Sequence, residues 1–138
     1  MGVSYKGGAP SYYSIKDNVN SLKKTFEYND GYFGKPGKNY NIRVIYSKNP
    51  IEEGKKFYKK ISYGGIEKDL TNGKGKITHM VDGTIITFRL ITKSNNYPGI
   101  DINISKSRDS CGIKMQKIHF EKGDDRKWKN MILDLIKH

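Results

Sequence analysis

The chain has 138 residues, the size of one domain, and 35% of them are apolar, so a single small core under a large polar surface is expected. Twenty-six Lys and Arg against fourteen Asp and Glu leave a net charge of +12, which concentrates polyanions, while ten tyrosines and five phenylalanines are too many for a disordered chain. Cys111 is the single cysteine, which excludes an internal disulfide framework and zinc sites built on paired cysteines, and no run approaches the roughly eighteen apolar residues that span a bilayer.

Residues 1 to 12, MGVSYKGGAPSY, hold three glycines and a proline without hydrophobic periodicity, and read as a linker or the scar of a junction. The first thirty residues lack the apolar block of a signal peptide, so the chain is expected to be soluble, with its export supplied from outside it. From Ser14, an N-cap residue type, Ile15, Val19, Leu22 and Phe26 recur at helical spacing and predict a helix up to about Tyr28. A glycine-rich loop follows, and then NIRVIYS (41 to 47) alternates as a strand does. Pro50 suits a first helical turn, and Ile51, Phe57, Tyr58 and Ile61 predict a short helix ending near Gly64 and Gly65. GGIEKDLTNGKGK reads as a turn, since its glycines lack P-loop spacing.

The rest reads as strands. GKITHMVDGTIITFRLIT (75 to 92) carries Asp82-Gly83, a two-residue hairpin signal between two apolar runs. IDINIS (100 to 105) and KMQKIHFEKG (114 to 123) follow, each after a loop, and Cys111 falls in the second of these as a passive thiol. Trp128, Met131, Ile132 and Leu135 share a stripe and predict a closing helix. Helices first and an antiparallel meander later predict an α+β domain: N-terminal helices on one face of an antiparallel sheet of about four strands, with a C-terminal helix. The opposite face stays open.

Strand alternation populates that open face. With Ile86, Phe88, Leu90, Ile102, Ile104, Ile118 and Phe120 turned inward, Arg89, Asp101, Asn103, Ser105, Lys117 and His119 turn outward, with Thr92, Lys93 and Ser94 at the rim. These residue types match what metal-free cleavage of RNA needs: a group to move protons and cations to stabilise a crowded phosphorane. A histidine near its usual pKa of roughly 6.5 serves as acid or base at neutral pH, and a neighbouring lysine lowers that value. Arg89 can grip a phosphate through two hydrogen bonds, which Lys117 cannot. An open face is polar without any function, however, and spacing alone favours a plain solvated surface over catalysis at His119 by about two to one.

His79 reads as a packed or edge histidine and His138 as a terminal one. The Cys-x-x-Cys of a zinc deaminase is missing from the sequence, as are the clustered histidines or carboxylates of metal-dependent nucleases. Scattered lysines, with no basic amphipathic helix, make nucleic acid the expected partner and a membrane an unexpected one.

The run PIEEGKKFYKKISYGGIEKDLTNGKGKITHMVDGTIITFRLITKSNNYPGIDINI, followed by GIKMQKIHF, resembles the C-terminal toxin domains of bacterial polymorphic toxins, including those of contact-dependent growth inhibition. Many such domains belong to the superfold of barnase, EndoU, colicin and RelE ribonucleases (BECR). The resemblance spans about residues 50 to 120, and Met115 departs from it where a small polar residue is usual. It implies one toxin nuclease domain over residues 13 to 138, without a cofactor or metal and expected to be a monomer. It implies catalysis by His119, Arg89, Lys117, Thr92 and Ser94; Lys93, Asn103, Ser105 and Lys114 are expected to bind substrate beside them. It implies RNA as substrate, tRNA among the targets, and a cognate immunity protein, acidic to match the surface. It also implies secretion at the C-terminal end of a larger effector that acts in the cytoplasm of a target cell. A metal-dependent DNase toxin and a basic binding module without catalysis are the alternatives.

Overall fold

Among the described residues strands outnumber helices ten to two. A computed structural model describes residues 4–5, 15–71, 73–92, 96–108 and 110–123. In chain order these form β1 (Ser4–Tyr5), α1 (Ile15–Leu22), β2 (Tyr28–Asn29), β3 (Tyr32–Phe33), β4 (Lys35–Pro36), β5 (Ile42–Ser47), α2 (Pro50–Ile61), β6 (Ile66–Asp69), β7 (Gly75–His79), β8 (Ile85–Arg89), β9 (Gly99–Asn103) and β10 (Gln116–Lys122). The main sheet has the order β1-β6-β7-β8-β9-β10-β5-β4, and β2 pairs β3 in a separate hairpin.

The expected architecture is overturned. The described residues contain two short helices and a mixed sheet twice the expected width, not helices packed on a four-stranded antiparallel sheet. The four strands foreseen between residues 75 and 123 do lie side by side, as β7, β8, β9 and β10. What enlarges the sheet is β5. It leaves for α2, and after four more strands β10 returns beside it, parallel, from Lys117 opposite Ile42 to Lys122 opposite Ser47. A parallel neighbour needs a long crossover, and the α2-to-β9 segment is that crossover. The other additions are β6, with β1 outside it, and β4, outside β5; the β6 sequence IEKD shows no apolar alternation. The closing helix expected around Trp128 lies outside the described residues, as does most of the segment 1 to 12; residues 4 and 5 pair with Glu67 and Ile66.

The helices cover one face. In α1, Ile15, Asn18, Val19 and Leu22 are buried, the i, i+3, i+4, i+7 set of one helical stripe. It ends at Leu22, earlier than the apolar spacing predicts, although Phe26 beyond it is still buried. In α2, Pro50 occupies the first turn with Glu52 and Glu53, Lys59 and Lys60 occupy the last, and the charges complement the helix dipole. Phe57 is fully buried and meets Phe26, Phe33 and Phe120 edge-on at 5.1, 5.0 and 5.6 Å, while Tyr58 stacks on Phe88 at 5.4 Å. This aromatic cluster pins α2 to β8 and β10.

Buried polar side chains tie the remaining segments down. Asp82 accepts from the Ile15 N–H (3.0 Å) at the start of α1 and from the Thr84 N–H (2.9 Å) of its own turn. That turn is a three-residue link, closed from the Met80 N–H to the Thr84 carbonyl, instead of the expected two-residue one. Gly83 supplies its left-handed residue at φ +100°. Asn18 donates to the carbonyls of Ile61 and Tyr63 and locks α1 to the end of α2. Gln116, 1% exposed, accepts from the Phe33 N–H (2.9 Å) and donates to the carbonyls of Gly31 (2.9 Å) and Lys114 (2.7 Å), so one side chain seats the β2–β3 hairpin on β10. Gln116→Ala removes three hydrogen bonds, among them the side-chain partner of the buried Phe33 N–H, and should lower stability by about 3 kcal/mol, roughly 10 °C in Tm. Thermal unfolding that shifts by less than about 2 °C would mean that this hairpin is seated by something else.

Candidate nucleic-acid site on the open face

Register decides what meets on the uncovered face. Arg89 lies opposite Gly99, and Gly99 lies opposite His119, which in turn lies opposite Val44. The guanidinium and the imidazole therefore stand on either side of a glycine, on strands about 10 Å apart. A Cβ at Gly99 would fall 2.6 Å from the Thr92 methyl carbon. Thr92 thus fills the space that a side chain at position 99 would occupy, between Arg89 and His119. Its loop is closed by hydrogen bonds from the Thr92 N–H to the Tyr97 carbonyl and from the Asn96 N–H to the Thr92 carbonyl.

The next row holds Thr87, Asp101, Lys117 and Ile42. Asp101 Oδ2 accepts from Arg89 Nη1 at 2.6 Å, and Asp101 Oδ1 lies 4.0 Å from Lys117 Nζ. The side chains of Arg89 and Lys117 remain 47% and 63% exposed, so these surface pairs contribute little stability and serve mainly to aim two cations. A guanidinium that spends one N–H on Asp101 keeps others for a phosphate.

His119 is half-buried, and its Nδ1 is enclosed without a hydrogen-bond partner among the described residues. A substrate can therefore approach the ring only through Nε2. Burial holds its pKa below the usual 6.5 against the opposing pull of Glu121 and Asp101, with Lys117 adding to the lowering. The ring is neutral at pH 7 and fit to accept a proton. Glu121, two residues on, sits opposite Tyr46, whose phenol is pushed up by burial and by that carboxylate.

Of the residues expected to act together, the fold gathers Arg89, Thr92 and His119 in one row and Lys117 in the next. Ser94 and Lys93 lie outside the described residues. Asn103 is exposed two rows from His119, its Oδ1 accepting from the backbone and hydroxyl of Ser105 in a turn at the end of β9, so neither reaches the row. Lys114 precedes β10 and donates its N–H to the Gly31 carbonyl, well away from His119. Sequence reasoning missed Gly99; a glycine directly after Pro98 at the start of a strand is a signal of close approach by another group. It also left Asp101 without a role. His79 is exposed on the same face, opposite Ile66 and Ile85, and Cys111 is an exposed thiol in a turn.

Among the described residues no three His, Cys, Asp or Glu side chains gather as a metal site would need, and no helix is long and apolar enough to cross a membrane. A cleft of about 350 Å³ runs along the outer edge of β5, lined by Phe26, Glu27, Lys35, Tyr46, Lys48 and Glu53 among others. It mixes acids with lysines and does not include the Arg89–His119 row. No protein-family model, no curated protein and no solved structure matches the chain.

The depressed pKa makes a test of burial at His119. Between the folded value and the unfolded one near 6.5 the unfolded chain binds more protons, so stability rises with pH across that window and is lost as pH falls from about 6.5. Urea midpoints measured from pH 5 to 7.5 should show that rise, and His119→Gln should flatten it. An NMR titration that places the imidazole above 6.5 would contradict the burial described here.

Proposed function

We propose that the domain is a metal-independent endoribonuclease of the bacterial toxin kind that its sequence resembles. The observation that carries this reading is the single row in which His119 and Arg89 flank Gly99 with Thr92 between them. A phosphodiester lying across Gly99 meets the guanidinium on one side and the imidazole on the other. His119 takes the proton of a ribose 2′-hydroxyl as the 2′-oxygen bonds to phosphorus. Charge that builds on the phosphorane oxygens is met by Arg89 and by Lys117 in the neighbouring row, while the Thr92 hydroxyl orients the phosphate. The bond to the 5′-oxygen then breaks, that oxygen takes a proton from solvent, and the products are a 2′,3′-cyclic phosphate and a free 5′-hydroxyl.

The surrounding charge suits this task, because a domain at +12 draws in RNA and holds it by counterion release. The same charge makes an acidic immunity protein the natural inhibitor, bound over Arg89 and His119 where it would exclude substrate quickly and tightly. Delivery at the end of a larger effector and action in the cytoplasm of a target cell belong to the same reading.

Incubation with total RNA in EDTA should give discrete fragments that end in 2′,3′-cyclic phosphate. His119→Ala should slow cutting at least about 100-fold and leave the fold intact, the size of a lost general base. Gly99→Val, which expels Thr92 from the row, should be as damaging although it removes no polar or charged side chain. Plasmid nicking that appears only with added magnesium, or a His119→Ala variant that cuts at the parent rate, would overturn the reading.

A further inference from the structure

The loop between β4 and β5 carries an aromatic cluster for which the reaction has no use. Tyr40 is 71% exposed, more than the other large apolar side chains exposed among the described residues. Its ring meets Tyr32 edge to face, with centroids 5.3 Å apart and planes at 77°. Beneath Tyr32, the Arg43 guanidinium carbon lies 4.8 Å from the ring centroid. Arg43 is only 6% exposed and donates to the carbonyls of Phe33 (3.0 Å), Gly34 (3.0 Å) and Tyr40 (3.2 Å). A cation held by three backbone carbonyls cannot swing out to meet a ligand. It fixes the loop and the Tyr32 ring instead, and Tyr40 is left as a braced ring presented to solvent.

Its position relates it to the open face. Ile42, two residues after Tyr40, is the register partner of Lys117, and the Lys117 N–H donates to the Asn41 carbonyl at 2.9 Å. Lys114, whose N–H donates to Gly31 at 3.0 Å, stands next to the Tyr32 hairpin. Going from the His119 row to the Lys117 row is a step of roughly 7 Å, and the loop carrying Tyr40 lies about one such step further. A braced, exposed ring beyond the end of a row that carries Lys117 has the make-up of a platform for single-stranded nucleic acid: the charge follows the backbone and the ring stacks a base.

We propose that Tyr40, braced by Tyr32 and Arg43, is a stacking subsite for an unpaired base of single-stranded RNA beyond the bond that is cut, with Lys114 and Lys117 meeting the intervening phosphates. This rests on the ribonuclease reading for the identity of the strand. A duplex keeps its bases stacked on each other and gains nothing from the ring, so the subsite selects unpaired RNA.

The test measures binding, not cutting. A fluorescein-labelled single-stranded oligoribonucleotide and its blunt duplex are titrated by anisotropy against His119→Ala protein, which leaves the RNA whole. Adding Tyr40→Ala should weaken binding of the single strand about tenfold and leave the duplex unchanged, while Tyr40→Trp should restore the single strand. Equal binding with and without Tyr40, equal loss on single strand and duplex, or no binding of the single strand by either protein would overturn the subsite. A parent protein that binds the single strand through Tyr40 but never cuts RNA would remove the ribonuclease reading and leave the subsite standing.

Discussion

The strand β10 is hydrogen-bonded on both sides, antiparallel to β9 and parallel to β5. That double pairing fixes which residues face each other across three strands. A slip by one residue would turn His119 into the aromatic core and carry Ile118 and Phe120 to solvent. Because Ile118 and Phe120 are fully buried against the helices, the slip is prohibitively unfavourable, and His119 is held opposite Gly99 by the core behind it. The candidate site is in this sense a by-product of packing: the residues that stabilise the sheet also set the distance between an imidazole and a guanidinium. Gly99 then admits Thr92 to the space between them.

The open face contains its own opposition. Asp101 sits between two cations and pairs with both, which steadies them but competes with any phosphate. In the surrounding potential of a strongly basic domain that competition favours the polyanion, because each phosphate bound also releases counterions. The helix face is arranged differently. There the polar groups are spent on structure: Asp82 on the first turn of α1, Asn18 on the end of α2, Gln116 on the β2–β3 hairpin and Arg43 on the loop before β5. The proposed site and the structural polar groups thus lie on opposite sides of one sheet, and substitutions on the open side are expected to cost little stability.

Much of this was legible in the residues themselves. Alternation placed Ile86 and Phe88, Ile100 and Ile102, Ile118 and Phe120 inward, and so carried Arg89, Asp101, Lys117 and His119 outward. Pro50 marked the start of α2, and the Ile15-to-Leu22 spacing marked α1. What escaped was what depends on partners distant in sequence. The parallel return of β10 to β5 leaves no local mark. Ile66–Asp69 lacks apolar alternation, and Tyr28–Asn29 with Tyr32–Phe33 is too short for any period to register. The same limit applied to the site. Side-chain types could be assigned to a face, but whether they converge depends on register, and register put Asn103, Ser105 and Lys114 elsewhere. Gly99 went unread because a missing side chain matters only once its neighbours are known.

The convergence of Arg89, Gly99 and His119 is most directly measured by NMR, titrating isotopically labelled protein with a 2′-deoxy dinucleotide, which has no 2′-hydroxyl to react. The Arg89 Nε–H, the Gly99 amide and the His119 ring should shift together and saturate at one common Kd. Shifts with separate affinities, or a response confined to the cleft along β5 while His119 stays still, would contradict a shared phosphate site.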